Sequence, residues 1–341
     1  MIILALGHGL NDLIAGFFLG SYSAHNTDLL QIGIAISVYN ILAFGGQYPV
    51  AILMEKINDT KKIIAFSYIL NVTAVSIFLF MPVFAIVIAG IASAIYHVAG
   101  GSYCAENNKA ANIGLFAAPG VAGLIAGGFF AWKSYNIIPI LLPAAIIFLF
   151  ILFRLKFIRQ FSEKNFSANE LQNQVIDRHD LIMILLLMVI SLRSVSWNVF
   201  QLIYENNYQW LIAIAIAAVI GKIAGGWLAD KIGWRLYALS SAIIATPLLT
   251  FFKKEMILFC LGIGLLQSGI PATTSLLIHS LKGKTSRGIA LSFGVAIIIG
   301  SAASVFPLQE LNKQMPYILL ASIILLFIYD RWYKRIIARP F

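Results

Sequence analysis

Two residues one helical turn apart, His8 and Asp12, stand in the first apolar stretch of the chain, within GlyHisGlyLeuAsnAspLeu from Gly7 to Leu13. At positions i and i+4 they share one helix face. A charge in the middle of a long apolar helix is costly, about 2.5–3.5 kcal/mol on insertion scales, so it marks function by default. Asp12 is the sole acid near the centre of any apolar stretch, and Arg193 is the most central cation. Burial and a nearby cation act on a carboxylate in opposite senses. Where the two nearly balance, the group can trade its proton for a substrate. We expect Asp12 and Arg193 to face each other, directly or across water or substrate. A fixed ion pair joining two halves of the molecule is the other reading of the same residues.

Tyr96 and His97 lie in a second apolar stretch, AlaIleTyrHisValAlaGlyGly from Ala94 to Gly101. Histidine titrates near neutral pH, although a membrane histidine also serves as a plain helix–helix hydrogen bonder. Lys222 precedes an AlaGlyGly run. It either snorkels to an interface or adds a second cation to the pathway, which would favour an anionic substrate. Asn11, Tyr39, Asn40, Trp197, Asn198 and Gln201 could add hydrogen bonds and aromatic walls, while Tyr and Trp also collect at membrane interfaces. No set of residues has metal-ligand spacing, and Cys104 and Cys260 are too few for a disulfide framework. We expect no metal and no cofactor.

The elements that hold these residues follow from composition. The 341 residues are 60% hydrophobic and 11% charged, against about 25% charged in soluble domains. Such a chain cannot cover a water-soluble globule with polar surface, so lipid is its solvent. A crossing helix needs about 20 apolar residues. Twelve such spans are expected, at 1–22, 28–53, 61–80, 82–105, 110–132, 135–155, 181–204, 208–229, 234–251, 254–280, 285–307 and 315–332. Alternating ten-residue strands of a barrel are absent from the pattern. The first span begins at Met1 without a basic lead segment and reads as a retained helix.

Residues 156–180 are the one long polar stretch, and they divide the spans six and six. The expected organisation is a six-helix bundle over 1–155, a linker at 156–180 and a second bundle over 181–341. Of the 24 Lys and Arg, 18 fall on the linker side of the spans, whereas the opposite loops hold only Lys133, Lys253, Lys254 and Lys313. Basic loops stay in the cytoplasm. Both termini are therefore expected there, in a bacterial inner membrane. The net charge of +10 is explained by these loops, and no basic stripe interleaved with aromatics points to nucleic acid.

After the eighth span comes GlyTrpLeuAlaAspLysIleGlyTrpArg, from Gly226 to Arg235. With Gly226, Asp230, Lys231, Gly233 and Arg235 in place, this resembles the loop motif of the major facilitator superfamily. A degraded copy stands at the matching place in the first half, where Ala51 replaces Gly, Glu55 replaces Asp and Lys56 matches Lys231. The fifth span places Gly114, Gly123 and Gly127 as in the antiporter motif of that superfamily, with Gly128 where the motif has Pro. Generic helix packing explains the same glycines. The segments around His8, Asn11 and Asp12 and around Tyr96 and His97 resemble those of the fosmidomycin-resistance-type efflux subfamily, with Tyr96 in place of Phe and Val98 in place of Pro.

The resemblance implies an all-α integral membrane protein of twelve helices, in two six-helix bundles around a central cavity. It implies a monomeric secondary transporter whose partners are a small-molecule substrate, protons and the lipid bilayer. Proton-coupled efflux of a small organic compound, with anions among the candidates, is the leading expectation. Import of a small organic anion is the second. A membrane-embedded lipid-modifying enzyme is the third, and no Gly-x-Ser-x-Gly, His-Glu-x-x-His or Walker loop supports it.

Overall fold

The computed structural model describes residues 1–57, 59–155, 178–204, 207–281, 284–302 and 306–336. In hydrocarbon every backbone N–H and C=O must be satisfied within its own segment, so these apolar stretches become helices. The described residues form α1 (Ile2–His25), α2 (Leu29–Met54), α3 (Thr60–Ile77), α4 (Pro82–Ala105), α5 (Ala110–Trp132) and α6 (Ile138–Arg154). They continue as α7 (Arg178–Ile203), α8 (Tyr208–Ile232), α9 (Trp234–Phe251), α10 (Met256–Ser280), α11 (Thr285–Ser301) and α12 (Leu308–Ile336). Among the described residues there is no strand.

Eight of these helices are long and apolar enough to cross a membrane, and α6 and α11 are shorter apolar helices. The outer surface is correspondingly greasy, with Leu29, Phe80 and Ile257 each more than 80% exposed. Water would not tolerate such a surface, and lipid does.

Local chemistry sets the helix ends. Asp28 caps α2 by accepting the N–H groups of Leu30 and Gln31, Asp59 caps α3 through Lys62 N–H, and Asn207 caps α8 through Trp210 N–H. Pro82 opens α4 at a first-turn position that needs no N–H. Gly233 has φ +99°, a conformation that only glycine adopts freely. It lets α8 stop and α9 start one residue later.

The expected boundaries shift in physically readable ways. Span twelve starts at Leu308 rather than 315, with a polar lead that carries the exposed Glu310–Lys313 ion pair. Span seven begins at Arg178, so the last residues of the expected 156–180 linker are helical. Residues 156–177 of that linker lie outside the described residues. Spans two and eleven are not uniform α-helices. Each contains a π-helical turn, Ile41–Gly45 and Leu291–Val295, and the two turns touch where α2 crosses α11. Wider turns disturb the i→i−4 ladder. Gln47 Nε2 donates to Ala43 O and Phe293 O there, both at 3.0 Å, and so joins the two helices.

Packing repeats between the two sets of six. In the first set α1 packs on α4 and α5, α2 on α4, and α3 on α4 and α6. Adding six to each number gives the contacts of the second set: α7 on α10 and α11, α8 on α10, and α9 on α10 and α12. The sets meet chiefly along α5–α8 and α2–α11. These pairings also exchange under the same shift.

Candidate functional site

His8, Asn11 and Asp12 of α1 meet Ser93, Tyr96 and His97 of α4 in the interior of the first helix set. His8 Nδ1–H donates to Phe116 O at 2.7 Å, and His97 Nδ1–H donates to Ser93 O at 2.7 Å. A carbonyl oxygen can only accept, so each Nδ1 carries a hydrogen. In neutral histidine that leaves both Nε2 atoms as bare lone pairs, yet they lie 2.8 Å apart. The Asp12 carboxylate completes the group, 3.3 Å from His8 Nε2 and 3.8 Å from His97 Nε2. Three lone-pair donors converge, and the contact between the imidazoles requires one additional cation between them.

The surroundings hold this group in place. Asn11 Nδ2 donates to Asp12 Oδ1 at 2.9 Å, and Asn71 Nδ2 donates to Asn11 Oδ1 at 2.9 Å. Tyr39 Oη donates to Ser93 Oγ, and Tyr96 Oη donates to Leu4 O. Gly120 of α5 lies against His8 and Asp12, where a β-carbon would collide with both side chains. Gly123 and Gly127 abut the carbonyls of Gly9 and Leu13 on α1, while Gly114 abuts Lys222 O on α8. These three glycines set the distance between backbones. The only exposure in the triad of consequence is that of Asp12, whose side chain keeps 15%.

The expected Asp12–Arg193 contact is not made in this conformation. Asp12 is turned toward α4, and Arg193 is turned into the second set, where Nη2 donates to Ala238 O at 3.0 Å. Arg193 packs on Gly269 and is 1% exposed. Its Nε and Nη1 have no hydrogen-bond partner, and among the described residues no acid pairs with it. Lys222 is half-buried on α8, and its main-chain carbonyl abuts Gly114 of α5. Trp197, Asn198 and Gln201 are half-buried on α7 beyond Arg193, and Asn40 is half-buried on α2 beside the buried Tyr39.

The motif residues gather on the face where α2 and α8 end and α5, α9 and α11 begin. Asp230 accepts the N–H groups of Ala110 at 2.9 Å and Ala111 at 3.0 Å, the first residues of α5, and Trp234 Nε1–H at 2.8 Å. Gly226 abuts Ala110 O and permits this approach. Arg235 pairs with Asp330 at 3.3 Å, and Lys231 lies over the Trp227 ring. In the first-half copy Ala51 is buried, Lys56 is exposed, and Glu55 pairs with Arg287 of α11. Sequence reasoning did not single out Arg287. It also missed Ser93, Asn71 and Gly120, whose types carry no signal until the helices are packed.

The Major Facilitator Superfamily model matches residues 1–307. No match was found among curated proteins. Among solved structures, a variant of the E. coli fucose:proton symporter FucP is similar at 15% identity and TM-score 0.71, covering 97% of this chain and 96% of that one. A second FucP structure, in the outward conformation, is similar at 14% identity and TM-score 0.69, covering 96% and 99%. A bacterial homologue of the iron transporter ferroportin, in an outward-facing state, is similar at 12% identity and TM-score 0.63, covering 98% and 99%. At these identities the likeness is one of fold.

Proposed function

This chain belongs to the Major Facilitator Superfamily, and we propose that it is a proton-coupled secondary transporter of a small organic anion, working as an exporter by alternating access. The observation that carries the reading is the pair of imidazoles whose Nε2 atoms meet at 2.8 Å while both Nδ1 atoms are committed to carbonyls. One proton fits between them, with Asp12 as its counter-charge. Loss of that proton leaves two lone pairs opposed, which rearranges α1 against α4. Arg193 supports the anionic substrate, because its two idle donors offer a planar fork suited to a carboxylate or phosphate.

In this reading residues 1–155 and 181–341 are the two moving bundles, and 156–180 links them. The protein acts as a monomer in the bacterial inner membrane with both termini in the cytoplasm, on the strength of the Lys and Arg bias. Asp230 and Glu55 then hold the cytoplasmic face shut, with Ile289 and Phe293 of α11 packed beside Ala51 and Met54 of α2. At the opposite end of α2, Leu29 and Leu30 are 82% and 72% exposed, which accords with an outward opening. Import of the same anion by symport is the second reading, and the fold shared with a fucose:proton symporter favours it.

The test begins with thermal stabilisation of the purified protein across a panel of small organic acids, since a ligand of the folded state raises its melting temperature. A stabilising acid is then followed in proteoliposomes under an imposed pH gradient. Uphill movement against the proton flow supports export, and uphill movement with it supports import. Movement indifferent to the gradient removes the proton from the proposal.

A further inference from the structure

We propose that His8, His97 and Asp12 form a binding site for one divalent transition-metal ion of borderline softness, with Zn2+ and Co2+ as its test ions. The claim goes beyond the transport reading and stands on donor geometry. The donor atoms are His8 Nε2, His97 Nε2 and an Asp12 carboxylate oxygen, all within 4.8 Å of one another. A tetrahedral ion with bonds of about 2.0–2.1 Å sets its ligand atoms about 3.3 Å apart. His8 Nε2 lies 2.8 Å from His97 Nε2 and 3.3 Å from Asp12 Oδ2, while His97 Nε2 lies 3.8 Å from the other carboxylate oxygen, Oδ1, so the carboxylate must turn to offer one oxygen to the ion. A small opening of the imidazole pair and a matching turn of the carboxylate would seat the ion.

A second, independent feature points the same way. Metal-binding histidines as a rule donate their other ring N–H to a carbonyl or carboxylate, which fixes the tautomer and aims the lone pair. Both histidines have that arrangement, through Phe116 O and Ser93 O. The carboxylate is also held, by Asn11 Nδ2. Two nitrogens and one oxygen suit Zn2+, Co2+, Fe2+ or Ni2+, whereas Mg2+ and Ca2+ demand oxygen ligands throughout. The partial exposure of Asp12 leaves room for a fourth ligand. Gly120, set against His8 and Asp12, keeps the third side free of a β-carbon.

The experiment is a Co2+ titration of the metal-free, detergent-purified full chain, read by visible absorption. Tetrahedral Co2+ absorbs far more strongly than the six-coordinate aqueous ion. One equivalent should give the tetrahedral spectrum, Zn2+ should erase it, and Mg2+ or Ca2+ should not. A variant with His25, His179 and His279 replaced by Gln should keep the spectrum. His97→Gln and Asp12→Asn should each weaken binding at least about tenfold, the lower end of what outer-shell losses alone cost. Absence of a tetrahedral spectrum in the wild-type protein overturns the site. So does undiminished binding in both His8→Gln and His97→Gln, or loss of binding in the three-histidine variant. Should a ligand variant fail to elute as a folded monomer, the wild-type spectrum and its ion selectivity decide. Binding is read at equilibrium without a gradient. Coupled transport without Co2+ binding therefore sinks the metal site alone, and Co2+ binding without coupled transport sinks the transport reading alone.

Discussion

Glu55, at the end of α2, receives a two-pronged ion pair from Arg287 at the start of α11, 232 residues away in the chain. Arg287 uses Nε and Nη2, one to each carboxylate oxygen. Asp230, at the end of α8, makes the related contact with the first turn of α5, using backbone N–H groups in place of a guanidinium. Asp230 meets the backbone N–H groups of a helix N-terminus, where the helix dipole favours an anion, and Glu55 meets a side-chain cation in the first turn of another helix. They close the same face from its two sides.

Asp230→Asn should slow transport severalfold while leaving the amount of protein in the membrane near normal. Asn keeps one acceptor oxygen but loses the charge that strengthens bonds to N–H groups. Its amide also brings donors to a place already filled by donors. Transport per folded molecule, measured in proteoliposomes, checks this. A rate equal to wild type removes Asp230 from the conformational machinery.

Glu55→Arg and Arg287→Glu should each open the face on which this pair lies, and the double exchange should close it again. A lone reversed charge puts like charges together, whereas the exchanged pair restores the attraction, so the two changes are coupled and non-additive. Labelling of a cysteine placed at Met54 reads the opening, because Met54 is buried beside this pair. Labelling that stays high in the double exchange would show that the pair is incidental.

The fold was legible because lipid leaves so few options. A run of 20 apolar residues must be a helix, and Gly226 to Arg235 marks the break at Gly233 between α8 and α9. Asp12 and His8 were legible for a related reason, as polar groups in a segment that penalises them. What stayed hidden was partnership. Sequence spacing shows that His8 and Asp12 share a face, but α4 supplies His97 from 89 residues away, and only packing selects it. Arg193 was paired with Asp12 on charge and depth alone. Its guanidinium instead follows the space that Gly269 leaves open. The degraded motif copy illustrates the converse. Glu55 has the wrong length for the Asp position, and Arg287 reaches out to meet it.

A phosphatase reporter fused after Phe341 should be inactive, and the same reporter at Lys133 should be active. The expectation rests on the bias of 18 to 4 among loop basic residues. The C-terminal end of α5 and the start of α6 lie on the face away from the Asp230 contact, where Lys133 stacks on Trp132 at 4.0 Å. High activity after Phe341, with a silent fusion at Lys133, would invert the orientation.

Arg193→Met should leave the fold intact or raise its melting temperature by a few degrees, and should abolish binding of the anionic substrate. A buried arginine with two idle donors carries a desolvation penalty that a single bond to Ala238 O does not offset. Replacing such a charge with an apolar chain of similar length is often neutral or stabilising. Differential scanning fluorimetry with and without the substrate separates the effects. A lower melting temperature would make Arg193 a structural clamp for Ala238.

The coupling prediction follows from the triad. Asp12→Asn removes the counter-charge beside the His8–His97 contact, and His97→Gln removes one of the two nitrogens that would share the proton. Each should abolish uphill transport driven by a pH gradient. Each should still permit exchange of labelled for unlabelled substrate at equal pH, since exchange needs alternating access but no net proton movement. The two variants should differ in one respect. Asp12→Asn keeps both imidazoles, so the proton can remain shared between them. His97→Gln breaks the bridge and leaves His8 Nε2 to Asp12 alone, 3.3 Å away. The double variant should be no worse than the more severe single one, because residues acting as a unit are non-additive. Retention of native uphill transport in Asp12→Asn and His97→Gln together would take the proton out of this site.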